Sequence, residues 1–327
     1  MTFLESFKSR VLSGEPLSDL ALEAFAYQAT HNPVYRLYLT LIGCAIEQVQ
    51  HLSQIPFLPI ACFKNFPVQT GRPDFVHYFE SSRTTGQQPS KHYLKDLDWY
   101  AKVSRLAFEQ KYGNLSDYEI LALLPAYLEQ QRSSLVYMVR QFMQHAGSAS
   151  GFYLYDHQAL TQKIETLRDS PRKLLLLGVT FALLDFAKAH RATLPLQTIV
   201  METGGMKGRG EELPREAVHE QLCDAFGVSQ VHSEYGMTEL LSQAYADRAG
   251  VFVPPPWMHV RLRDLNDPFS LAPIGSVGGI DVIDLANIES CCFIQTQDLG
   301  RYVAGGFEVL GRFDHSEVRG CNLLYVG

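Results

Sequence analysis

The sequence predicts an α/β protein, a parallel sheet covered by helices followed by a smaller β-rich unit. Two short apolar runs, "KLLLLG" (173–178) and "LQTIVMETGG" (196–205), each end in glycine and read as buried strands. "FALLDFAKAH" and "PREAVHEQLCDAFG" follow them as helices, and "QVHSEYGMTE" (230–239) is the next strand entering a loop. Strand, helix, strand, helix, strand implies parallel pairing, which brings the loops at 178–180, 202–210 and 235–239 to the carboxyl ends of the strands, where such sheets bind ligands. From residue 250 the chain is rich in Gly and Pro with short apolar runs such as "VGGIDVIDLA" and "CCFIQTQDLG", the pattern of short strands.

Taken in order, residues 1–70 read as an N-terminal helical segment, 71–249 as the α/β core and 250–327 as the β-rich part. Ser18 is a candidate helix cap, a second helix runs from Val34 to about Val49 after the "NP" break, and prolines at 56, 59 and 67 interrupt the pattern. Residues 95–110 and 116–146 carry apolar positions three and four apart and read as helices. Pro214 suits the first turn of the helix that ends at Gly227, with Val218, Leu222 and Phe226 on one face.

Composition narrows the function. A 46% hydrophobic share is enough for a large core, and a net charge of −7 argues against a general nucleic-acid binder, which needs a basic surface. "MTFLESFKSR" lacks the features of a signal peptide, and "LLLLGVTFALLDFA" (174–187) is too short to span a bilayer. A cytoplasmic protein without a membrane span is expected. The six cysteines have no metal spacing and read mostly as core thiols.

Three polar loops carry chemistry. In "YFESSRTTGQQPSKHY" (78–93) hydroxyls of Ser81, Ser82, Thr84 and Thr85 surround Gly86, residue types that wrap phosphate oxygens. "METGGMKGRG" (201–210) has four glycines after a strand, which allows close approach by a ligand. In "EYGMTE" (234–239) Tyr235 offers a flat face for a base, Thr238 a hydroxyl and Glu239 a carboxylate for Mg²⁺. An ordinary turn is the competing reading of each loop taken by itself.

Together these loops resemble the adenylate-forming enzymes: acyl-CoA synthetases, phenylacetate-CoA ligases and their relatives. "SSRTTGQQPSK" resembles that family's phosphate loop and "YGMTE" its Tyr-Gly-x-Thr-Glu motif. "QDLGRY" (297–302) resembles the segment whose aspartate binds ribose, and "LGRFDHSEVRG" (310–320) the Gly-Arg-x-Asp hinge. Within the family, "ETGGMKGRGEEL" and the "EVRGC" segment resemble the LuxE-type acyl-protein synthetases of bacterial bioluminescence. The resemblance implies the large domain of an adenylate-forming enzyme, without room for the second, C-terminal lobe. It further implies ATP and Mg²⁺, a fatty acid substrate, and acyl transfer to Cys321 and on to a partner acyl reductase or carrier.

By the same resemblance Ser81, Ser82, Thr84, Thr85 and Gly86 would hold phosphates. Gly204 and Gly205 would line the adenine pocket, joined by Tyr235, Gly236 and Met237. Thr238 would touch phosphate, Glu239 would hold Mg²⁺, and Asp298 and Arg312 would hold the ribose. Arg83 stands where the family has glycine, Lys91 is displaced from the family lysine, and Lys207 and Arg209 are candidates for the lysine of the second lobe. Cys321, beside Leu323 and Leu324, also reads as a buried thiol. Two other readings stay open: a one-lobe ligase that acylates CoA or a carrier directly, and a nucleotide- or partner-binding protein without turnover.

Overall fold

The computed structural model describes residues 2–81, 88–124, 132–189, 194–204, 213–247 and 250–313. In chain order the strands are β1 (Leu58–Pro59), β2 (His77–Glu80), β3 (Lys91–Leu94), β4 (Tyr118–Leu123), β5 (Gly151–Phe152), β6 (Lys173–Val179) and β7 (Thr198–Thr203). They continue with β8 (His232–Tyr235), β9 (Ala244–Ala246), β10 (Val251–Phe252), β11 (Met258–Arg263), β12 (Gly278–Asp284), β13 (Phe293–Val303) and β14 (Gly306–Arg312).

The first sheet has the order β5-β4-β6-β7-β8-β9 and is parallel up to β8, with β9 running antiparallel at its edge. β6 is buried from Leu174 to Val179 because helices cover both faces, and only a continuous apolar run satisfies that position. On one face the helix Leu97–Tyr112 packs Phe108 against Tyr245 of β9, with Phe142 of the helix Ser134–His145 beside it. On the other face the helices Thr180–Ala189 and Arg215–Phe226 meet through Phe186 and Phe226. Asp96 caps the first of these helices by accepting from the Trp99 amide, a contact worth about 1 kcal/mol.

The second sheet, β10-β14-β13-β12-β11, is antiparallel, and β1 joins β13 in parallel. The helix Leu17–His31 packs on it. The Gln28 side chain donates to the Ile288 carbonyl at 2.9 Å and accepts from the Cys292 amide at 2.9 Å, tying the N-terminal helices to the β-rich part. Cys291 and Cys292 are fully buried, and burial pushes the Cys291 thiol up to about 12, as a core thiol requires.

Three expectations fail locally. Residues 116–146 are not one helix: Tyr118–Leu123 is β4, buried at every position between β5 and β6. "YEILAL" is apolar except for the buried Glu119, and periodicity cannot separate a buried strand from a buried helix over so short a length. The helix after the "NP" break stops at Leu41, and Ser18 lies inside the helix that begins at Leu17 rather than capping it. Among the described residues no helix is long and apolar enough to cross a membrane.

Candidate active site

The parallel part of the first sheet ends, and the second sheet begins to contribute, at Tyr235. β8 is short because Gly236 follows, and the chain then turns through Met237–Leu240, the Leu240 amide donating to the Met237 carbonyl. Tyr235 is 8% exposed, so its ring is not an open platform: it packs on Phe252 and Phe307 of the second sheet. Its hydroxyl donates to Asp298 Oδ2 at 2.8 Å. Asp298 lies directly across β13–β14 from Arg312, whose Nε is 3.6 Å from Asp298 Oδ1. The Arg312 side chain is 83% exposed while that of Asp298 is 14% exposed. Burial pushes the Asp298 carboxyl up, and Arg312 and the Tyr235 hydroxyl pull it back. The fold thus brings Tyr235, Asp298 and Arg312 together across 77 residues of chain and two sheets.

The turn after Tyr235 is held from behind by groups that the motifs do not include. His92, on β3, is 1% exposed; its Nδ1 lies 2.8 Å from the Thr238 carbonyl and its Nε2 2.9 Å from Asn287 Oδ1. Asn287 Nδ2 donates in turn to the Glu239 carbonyl at 2.8 Å. Burial pulls His92 down to about 4, while the two acceptor oxygens favour a proton on each ring nitrogen. Asp284 accepts from the amides of Leu241 and Ser242 at 2.8 and 3.0 Å and from the Ser242 hydroxyl at 2.6 Å. This fixes the exit of the turn. A histidine beside a hydroxyl-rich loop was the available sequence signal; nothing in the sequence marks Asn287 or Asp284.

Glu239 is 5% exposed. Burial pushes its carboxyl up, opposed by a hydrogen bond from Ser90 and the charge of Arg312, with the Asp298 charge adding to the rise. Glu239, Asp298 and Arg312 thus share one electrostatic neighbourhood. Among the described residues no group of three His, Cys, Asp or Glu could hold a metal. One carboxylate fits the way Mg²⁺ binds with nucleotides, where phosphate oxygens and water supply the other ligands.

Ser81 stands at the base of the hydroxyl loop. Its hydroxyl accepts from the Ser90 amide at 2.9 Å and its own amide donates to the Ser90 carbonyl at 3.1 Å, so Ser81 closes the loop. Ser82, Arg83, Thr84, Thr85 and Gly86 lie outside the described residues, as do Gly205, Lys207, Arg209 and Cys321. Lys91 stacks 5.3 Å over the Tyr78 ring and lies 4.0 Å from Glu80, away from the phosphate role. Gly204 ends β7 with φ of +76°, a left-handed conformation that favours glycine.

Two buried carboxylates beside Gly204 are absent from the motif reading. Glu202 accepts from Thr180 at 2.8 Å and from Ser233 at 2.6 Å, with His219 at 3.7 Å and Arg215 at 4.0 Å. These partners hold its carboxyl below the usual range despite burial. Glu234, on the opposite face, accepts from the Thr203 hydroxyl, and burial pushes it up to about 7.

No protein-family model matches the sequence, and no curated protein sequence matches it. Solved structures share the fold. 2-Hydroxyisobutyryl-CoA ligase, in an open conformation with 2-HIB-AMP and CoA, superimposes with a TM-score of 0.66 at 13% identity, over 91% of this chain and 70% of that one. ATP-bound MatB from Rhodopseudomonas palustris gives a TM-score of 0.52 at 18% identity, over 73% of this chain and 48% of that one. The chain thus spans about half the length of MatB. The chain shares its α/β fold with these two proteins, the fold that the sequence motifs imply.

Proposed function

We propose that the protein activates a carboxylic acid with ATP and then passes the acyl group to a thiol. The observation that supports this most is the meeting of Tyr235, Asp298 and Arg312 at the carboxyl end of β8, with Glu239 four residues on within reach of their charges, the place where an α/β sheet takes a nucleotide. Asp298 would accept from ribose hydroxyls, with Arg312 beside it. Thr238 and the hydroxyls of Ser82, Thr84 and Thr85 would face phosphate, around Gly86. Gly204, Gly205, Gly236 and Met237 would leave room for the adenine beside Tyr235. Bound Mg²⁺, held by Glu239, would neutralise phosphate charge.

The reaction follows from leaving-group chemistry. A carboxylate oxygen attacks the α-phosphorus and pyrophosphate departs. The resulting mixed anhydride has AMP as a good leaving group. A thiolate then attacks the acyl carbon, the bond to AMP breaks, and the thiol proton has gone to solvent. The rigid brace of His92, Asn287 and Asp284 keeps the Thr238–Glu239 turn in place during this, so that its groups need no reorganisation.

The acceptor thiol in this reading is Cys321, from which the acyl group passes to a reductase or carrier protein. A second reading, direct transfer to CoA, is supported by the fold shared with a ligase described with CoA. Substitution Cys321→Ser separates them. Self-acylation lost with acid-dependent pyrophosphate exchange retained supports Cys321. An undiminished thioester on added CoA in the same variant supports the second reading and overturns the first.

A further inference from the structure

The face of the first sheet behind Tyr235 is polar, buried and incompletely paired. Register aligns Thr203 of β7 with Glu234 of β8, and Glu234 with Tyr245 of β9, so the three side chains project from one face. Gln243, two residues before Tyr245, closes against the same place. A Cβ at position 236 would lie 3.2 Å from Gln243 Cγ and would collide with Glu234 Oε1. Glycine at 236 is what allows the Glu234 carboxyl and Gln243 to lie side by side next to the nucleotide loop.

Among the described residues the hydrogen-bond accounting does not close. Among the described residues, Gln243 Oε1 and the Tyr245 hydroxyl are buried without a partner, in side chains 3% and 2% exposed. Glu234 has Thr203 on one oxygen, and the neighbouring charge acting on it is that of Glu202, like in sign. On the opposite face Glu202 has two hydroxyls, an imidazole and a guanidinium around it. An unpartnered buried polar group costs roughly 1–3 kcal/mol. Methylene groups laid against this row would leave that cost in place, whereas a group that donates hydrogen bonds would remove it.

Resting on the acid-activating reading, we propose that Glu234, Gln243 and Tyr245 form a subsite for a hydrogen-bond-donating substituent, so that the acid is a small one carrying a hydroxyl or an ammonium group. Gln243 Oε1 and Glu234 Oε1 accept from that substituent, and the Tyr245 hydroxyl donates to it when it is a hydroxyl. This departs from the unsubstituted fatty acid that the motif resemblance implies.

The test compares butanoate, 3-hydroxybutanoate, 4-aminobutanoate and dodecanoate in acid-dependent ATP–pyrophosphate exchange. It is run alongside the thermal stabilisation that each acid alone gives the full chain. One of the two substituted acids is expected to exceed butanoate and dodecanoate at least tenfold in kcat/KM. Gln243→Leu is expected to reduce that discrimination at least fivefold, and Tyr245→Phe serves should the first variant not fold. Glu234→Gln separates the sources: it abolishes a preference for the ammonium acid and spares one for the hydroxy acid. Butanoate or dodecanoate used as well as the substituted acids, or discrimination unmoved by these substitutions, overturns the subsite, which then holds only water. Absence of exchange with every acid, together with selective stabilisation by a substituted acid, supports the subsite while overturning adenylation. Absence of both overturns the two together.

Discussion

Tyr235 and Asp298 belong to different sheets, and their side chains meet at 2.8 Å. This one hydrogen bond joins the end of the parallel sheet to the antiparallel sheet at the place proposed for ribose. Tyr235→Phe removes the donor and leaves Asp298 with Arg312 alone, whose side chain is largely in solvent. A several-fold rise in KM for ATP is expected, with a loss of about 1 kcal/mol in stability. Nucleotide titration and denaturant unfolding read the two effects separately.

His92 joins the hairpin under the hydroxyl loop to the carbonyl of Thr238. His92→Ala leaves the Thr238 carbonyl and Asn287 Oδ1 buried without that partner, a loss of roughly 2–4 kcal/mol. Because the turn is displaced while the ribose groups remain, kcat is expected to fall more than KM for ATP rises.

The same histidine sets an acid limit. Its ring titrates at about 4 in the fold, against 6.5 when free. Between those values the unfolded chain binds the proton and the native chain does not, so stability is complete above about pH 6.5 and falls as pH drops toward 4. The magnitude is on the order of 3 kcal/mol. Urea midpoints at pH 7 and pH 4.5 should differ less in His92→Ala than in the wild type.

Glu234 acts in the opposite sense. Its carboxyl titrates at about 7 in the fold against 4.5 when free, so the native chain holds the proton through that interval and stability falls as pH rises across it. Glu234→Gln should therefore raise the melting temperature at pH 8 and change it little at pH 4.5. Equal effects at both pH values would contradict the buried, proton-retaining carboxyl.

Asp284 satisfies two amides and a hydroxyl at the exit of the turn, entirely out of water. Asp284→Ala is expected to cost about 3–5 kcal/mol, among the largest single-site losses in the chain, because the freed donors are buried. Asp284→Asn keeps one acceptor and should lose about half as much.

Much of this arrangement was legible in the sequence. The strand–helix alternation from Lys173 to Tyr235 follows from local runs that survive in the fold, whereas the contact of Tyr235 with Asp298 emerges only in three dimensions. β4 was misread because "YEILAL" carries no period that distinguishes strand from helix. The burial of the Tyr235 ring has a tertiary cause that no local pattern carries: Phe252 and Phe307, from β10 and β14, pack on it. The brace of His92, Asn287 and Asp284 joins residues nearly 200 positions apart in the chain and has no local signature. Glu202 and Glu234 differ in protonation because of partners on opposite sheet faces, which alternation hints at and only side-chain contacts decide.

The central claim is that these groups activate a carboxylic acid with ATP. Isotope exchange of pyrophosphate into ATP, with Mg²⁺ and the acids named above, tests it most directly. The account predicts exchange that requires an acid and that drops at least a hundredfold in Glu239→Gln. Nucleotide binding without exchange for any acid, in the presence of Mg²⁺, would contradict it.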